Sequence, residues 1–214
     1  AAAGRAGAGR LELCAGLAEG GVTPSAGLVR AVRRRVDLPL QVLLRPRPGD
    51  FVYAEGDVES MLADIRDLKL AGADGVVLGA LTSDGLVDRE LVARLVARAR
   101  PLAVSFHRAI DHAADLGAAV ATLAELGIGR VLTSGGAPTA LAGADTLRRL
   151  VQRFGATVTI LAGGTVRADH VARLVQLTGV REVHLGPRLD RGAGLDVAAL
   201  EATVRALGAP ETRT

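Results

Sequence analysis

The sequence predicts an α/β fold, a (β/α)8 barrel in which seven of the eight strands are present. Three observations predict it. Short apolar runs alternate with amphipathic helical stretches along the 214 residues. Every stretch between two such runs is long enough for a parallel crossover. One local grammar also recurs: a glycine follows a helix end, and an aliphatic strand residue comes four positions later. It occurs at Gly7 and Leu11, Gly72 and Val76, Gly127 and Val131, and Gly179 and Val183. Glycine at that place closes a helix through positive φ. Repetition of one unit favours a barrel over an asymmetric open sheet.

In chain order, residues 1–9 read as the remnant of a first helix, so the strand expected to be absent is the first. Strand Arg10–Cys14 precedes helix Ala26–Arg35, and strand Pro39–Leu44 precedes helix Val58–Ala71. Gly75–Leu78 and Leu102–Phe106 are strands followed by helices Arg89–Ala99 and Leu116–Leu126. Arg130–Thr133 and Thr157–Leu161 are strands followed by helices Ala144–Phe154 and Ala168–Leu177. Glu182–Leu185 is the last strand, and residues 189–214 hold a final helix, Val197–Leu207, and a tail. The strands are short, apolar and often β-branched, as strands covered on both faces are. A hydrophobic content of 49% suits one domain with a full core.

The grammar also sets side-chain phase. Five positions after the glycine stand Glu12, Val77, Leu132 and His184, and seven after it stand Cys14, Gly79, Ser134 and Gly186. Residues two apart share a strand face. Glu12 and His184 would be costly under a helix layer, so this phase belongs inside the barrel. Arg45 extends the phase of Gln41 and Leu43, and His107 that of Ala103 and Ser105. Both fall at strand C-termini, where barrel enzymes carry their catalytic groups.

The candidate chemistry gathers at those strand ends. Arg45-Pro-Arg-Pro-Gly-Asp50-Phe51 is a rigid loop presenting Arg45, Arg47 and Asp50. It reads as an anion clamp with an acid or base, or as an Arg–Asp pair that ties down the loop. In Phe106-His107-Arg108-Ala-Ile-Asp111-His112, His107 suits a general base or a metal ligand, and Asp111 suits orienting it or binding ligand. His112 reads as an exposed loop residue. Glu12 is a candidate acid or base. Cys14 is either a soft ligand for Cu(I) or a small buried hydrophobe. Ser134 and Gly135, with Gly163 and Gly164, form glycine-rich turns after late strands, and His184 lies beside them. These are candidate ligand contacts of a phosphate site, or simply tight turns.

Several classes are excluded. Aromatics make up 2% of the chain and Trp is absent, so stacking platforms for nucleic acid are missing. The net charge is +3, with basic residues interleaved with acids. No apolar run approaches the ~20 residues of a membrane span. The single lysine, Lys69, falls mid-helix, which argues against a Schiff-base mechanism. One cysteine excludes an internal disulfide and fits a reducing compartment. No dense His/Cys cluster exists for structural zinc.

Six motifs, taken in order, resemble the CutC family: Arg10-Leu-Glu-Leu-Cys14, Glu19-Gly-Gly-Val-Thr-Pro-Ser25, Arg45-Pro-Arg-Pro-Gly-Asp-Phe51, Phe106-His-Arg-Ala109, Leu132-Thr-Ser-Gly135 and Glu182-Val-His184. The resemblance runs from Ala1 to about Arg188. It implies a TIM barrel, a cytoplasmic copper-homeostasis role and copper as ligand. Against the family pattern, the first strand is missing and the segment after the last strand is short. The residues themselves point elsewhere, because Cu(I) prefers thiolate and thioether ligands. Only Cys14 and Met61 are offered, with Met61 on a predicted surface helix, and a two-arginine loop repels a cation. Arg45, Arg47, Asp50, His107 and Glu12 suit a small anionic ligand, sugar-like or phosphorylated, with Asp50 or His107 as acid/base. A structural scaffold, including a homo-oligomer, is the third alternative.

Overall fold

A computed structural model describes residues 2–186 and 196–208. A short helix α1 (Ala2–Arg5) leads into β1 (Leu11–Leu13), α2 (Ala26–Arg33) and β2 (Leu40–Leu43). Then come α3 (Glu55–Ala71), β3 (Gly75–Leu78), α4 (Arg89–Ala99), β4 (Ala103–Phe106), α5 (Leu116–Glu125) and β5 (Arg130–Thr133). The chain continues through α6 (Ala144–Phe154), β6 (Thr159–Ala162), α7 (Val171–Thr178), β7 (Glu182–Val183) and α8 (Val197–Gly208). Two 3-10 turns, Leu17–Glu19 and Arg108–His112, follow β1 and β4. The seven strands are all parallel and lie in chain order, β1-β2-β3-β4-β5-β6-β7. This is the alternating architecture of a (β/α)8 barrel with seven strands among the described residues.

The glycine grammar holds. Gly7, Gly72, Gly127 and Gly179 all take positive φ, between 71° and 90°. Gly7 has a second constraint, since a Cβ there would lie 2.8 Å from Val204 on α8. The packing of α8 on α1 therefore depends on that glycine, and Ala3, Ala6 and Leu200 are buried together beside it.

Each strand divides its residues as the phase predicts. Leu40, Val42, Leu44, Val76, Leu78, Phe106, Val131 and Ile160 join the helices in one core outside the sheet. Leu43, Val77, Leu132 and Leu161 are equally buried but stand apart from that core, on the inner face. Met61 is fully buried in the outer core. The expectation of a surface helix there holds for α3 as an element but not for this side chain.

Several boundaries differ from the sequence reading. Helix α3 starts three residues earlier than Val58, because Asp57 accepts a hydrogen bond from the Ala54 N–H at 3.2 Å and supports an extra turn. Strand β6 starts two residues later than Thr157, because the N–H groups of Thr157 and Val158 both donate to Phe154 O and close α6. Pro187, Arg188 and the segment 209–214 lie outside the described residues. No described helix is long and apolar enough to cross a membrane.

The seam between β7 and β1 is joined by side chains. Arg10 Nη2 donates to Glu182 at 2.7 Å, and Arg130 Nε and Nη2 donate to the same carboxylate at 2.8 and 2.9 Å. The two guanidiniums hold Glu182 down at about 2, against its usual 4.5. One layer nearer the C-terminal mouth, His184 Nδ1 lies 3.7 Å from Glu12 Oε2.

Candidate functional site

The predicted rim residues fall into three groups around the C-terminal mouth. The first is built on β2. Arg45 is buried and its guanidinium is held by backbone carbonyls: Gly21 O at 3.0 Å, Gly49 O at 2.6 Å and Glu19 O at 3.4 Å. The Phe51 ring packs under it at 5.0 Å. These contacts explain the loop's Pro and Gly content, since the turn must deliver Gly49 O to the guanidinium. Gly49 itself sits at φ 96°. Arg47 lies outside this nest. It pairs with Asp50 at 3.0 Å and with Asp57 at 2.9 Å, and donates to Val52 O at 2.7 Å. Arg47 thus ties the loop to the start of α3, and Asp50 keeps 69% of its side chain exposed.

A cleft of about 470 Å³ opens beside this loop, lined by Arg45, Asp50, Phe51, Thr82, Ser83 and His112 among others. His112 is exposed, as the sequence suggests, yet it forms part of the cleft wall, its ring tilted against Phe51 at 5.6 Å. Its place in one motif with His107 was the signal available. Phe51 was the larger omission, because its contacts on Arg45 and both histidines depend on the fold.

The second group is built on β4 and β5. His107 caps the 3-10 turn: its Nδ1 accepts the Ala109 N–H at 3.1 Å. The ring is buried against Phe51 at 5.2 Å. Burial first, and the Arg45 charge second, push its pKa down to about 3. His107 is therefore neutral at pH 7, and its basic nitrogen is already occupied. This geometry makes it a hydrogen-bond donor through Nε2 more than a general base. Asp111 makes no side-chain hydrogen bond to His107. Its carboxylate, only 7% exposed, instead accepts from Ser134 N and Oγ, Gly136 N, Thr133 Oγ1 and Arg108 Nε. Arg108 also donates to Ser134 Oγ at 3.1 Å. Asp111 thus fixes the turn after β5, including Ser134 and Gly135.

The third group lies at the seam. Glu12 and His184 approach each other across the seam, and Cys14 stands two residues beyond Glu12, beside Gly21. Burial, then the Glu12 charge, pushes the Cys14 thiol above its usual 9.0. Gly163 lies between neighbours, since a Cβ there would meet Leu132 at 2.5 Å and His184 at 3.4 Å. A Cβ at Gly164 would meet Ser134 at 3.0 Å, so both glycines are packing requirements of the β6 turn.

Cys14 is the chain's single thiol, and burial and the Glu12 charge disfavour its thiolate; Met61 is buried away from the rim. Among the described residues, no three His, Cys, Asp or Glu side chains form a metal-holding group. These residues do not fit a resident copper site, whose soft ion favours thiolates and thioethers.

Known proteins resemble this chain along most of its length. The CutC family profile matches residues 1–188. The copper homeostasis protein cutC homolog of Mus musculus is 47% identical over 191 residues, covering 89% of this chain and 70% of the mouse protein. A crystal structure of CutC from Streptococcus agalactiae superposes with a TM-score of 0.79 at 31% identity, over 82% of this chain and 87% of that one. Phosphoribosylanthranilate isomerase from Thermotoga maritima gives a TM-score of 0.63 at 10% identity, over 97% and 91% of the two chains, a likeness of fold alone. The mouse and human relatives carry the name of copper homeostasis, and the chain belongs to the CutC family.

Proposed function

We propose that this chain serves copper homeostasis in the cytoplasm by binding a small anionic molecule at the mouth of its barrel, not by holding copper as a resident ion. One observation carries the reading. A cleft of metabolite size adjoins Arg45, a buried cation whose protein partners are neutral carbonyls. The single cysteine supports a reducing compartment. Asp50, exposed on the cleft wall and paired with Arg47, is the candidate acid or base, and His107 supplies a neutral donor.

A second reading has its own support. Cys14, with Glu12 and His184 on the same rim, offers one soft contact for Cu(I) as cargo, as the family relationship suggests. Two assays separate the readings. In an anaerobic Cu(I) titration against a competing chelator, the protein is expected to show no micromolar binding. Tight binding abolished by Cys14→Ser would replace the first reading with the second. In a thermal-shift screen of small anions, at least one is expected to stabilise the wild type, with the response lost in Arg45→Ala. An identical response in that variant contradicts the proposal.

A further inference from the structure

The ends of β2, β3 and β4 bring two orphaned donors together. Leu43 is in register with Val77, and Leu78 with Phe106. Continuing those ladders puts Arg45, Gly79 and His107 in one row. Gly79 has no side chain, and the His107 ring fills its place: a Cβ there would lie 2.3 Å from His107 Cε1 and 2.5 Å from Nδ1. The ring thus lies across β3 towards Arg45, and Phe51 packs against both groups, at 5.2 and 5.0 Å. His107 Nδ1 accepts the Ala109 N–H, so the neutral ring carries its proton on Nε2. His107 Nε2 and Arg45 Nε are both buried and both lack a protein partner. Such atoms are costly to leave unpaired. Arg45 also has no ion-pair partner among the described residues, since the loop's carboxylate, Asp50, is bound to Arg47.

We infer that Arg45 Nε and His107 Nε2 form a two-donor seat for one anionic oxygen, which makes the ligand a small carboxylate or phosphate. Charge and donor count both select an acceptor bearing negative charge. A metal cation is refused by the same guanidinium. Arg45 and Phe51 line the cleft, and the Phe51 ring packs against both groups, so a ligand oxygen entering from the cleft reaches the pair by displacing that ring. The inference rests on the small-anion reading above and narrows it.

Acetate and inorganic phosphate serve as probes, each titrated into the full chain. Binding is read from the imidazole 15N–1H resonance of His107 and from the dissociation constant. His107→Asn keeps an oxygen able to cap Ala109 N–H but removes the Nε2 donor. Arg45→Lys keeps the charge and removes Nε. One probe is expected to shift the Nε2–H resonance saturably, and each variant, folded by its thermal transition, is expected to weaken that probe at least tenfold. Acetate alone acting identifies a carboxylate; phosphate alone identifies a phosphate. A probe that binds wild type and His107→Asn equally overturns the seat while leaving the cleft reading intact. A resonance that responds to neither probe and exchanges only with water also overturns it, as a hydration site. If no anion binds anywhere, both readings fail.

Discussion

Replacing Glu182 by Gln tests how the barrel is held at its seam. The carboxylate accepts three hydrogen bonds from Arg10 and Arg130, linking β7 to β5 and to the residue before β1. Its pKa falls from 4.5 to about 2, with Arg130 the largest cause. Undamped, that depression corresponds to ~3 kcal/mol of native-state stabilisation. The side chain is 30% exposed and its partners 26% and 23%, so solvent screening reduces the figure. About 1–2 kcal/mol remains. The sign follows from the depression: the contribution is complete above pH 4.5 and is lost as pH falls towards about 2. Thermal unfolding by circular dichroism at pH 7 should show Glu182→Gln lower by about 2–8 °C. Urea midpoints taken between pH 4.5 and 3 should show the gap to wild type narrowing. Equal stability at pH 7, or a gap that stays constant through the acid range, refutes the reasoning.

Three further outcomes are expected. Asp111→Ala leaves Ser134 N and Gly136 N without their acceptor and should cost about 3 kcal/mol, read from the urea midpoint. Gly79→Ala drives a methyl into the His107 ring and Ala109 Cβ, and should cost about 1–3 kcal/mol while shifting the His107 imidazole signals. Cys14 should alkylate slowly at pH 7, with a rate that climbs beyond pH 9; Glu12→Gln should speed it, because the Glu12 charge is the second cause of the raised thiol pKa.

The fold was legible because its signals are local and repeated. Helix-closing glycines and two-residue strand phase depend only on neighbours in sequence, and they place Glu12, Val77, Leu132 and His184 on one side of the sheet. The site was legible in location but less so in roles. His107 and Asp111 share a motif, yet one caps its own turn and the other serves the turn after β5. That partner set arises only when β4 and β5 pair. Arg45 looks like an open clamp in sequence. The fold spends its terminal nitrogens on Gly21 and Gly49 carbonyls and leaves Nε as the orphan. Gly79 carries no chemistry of its own, and its importance appears only when the His107 ring occupies the space beside it.

The central claim is that the barrel mouth receives an anionic oxygen through Arg45 and His107. The most direct measurement is a crystal structure of the protein with the anion that raises its thermal transition most. The account predicts one carboxylate or phosphate oxygen within hydrogen-bond distance of both Arg45 Nε and His107 Nε2. The anion bound elsewhere on the barrel, with both atoms still unengaged, would contradict it.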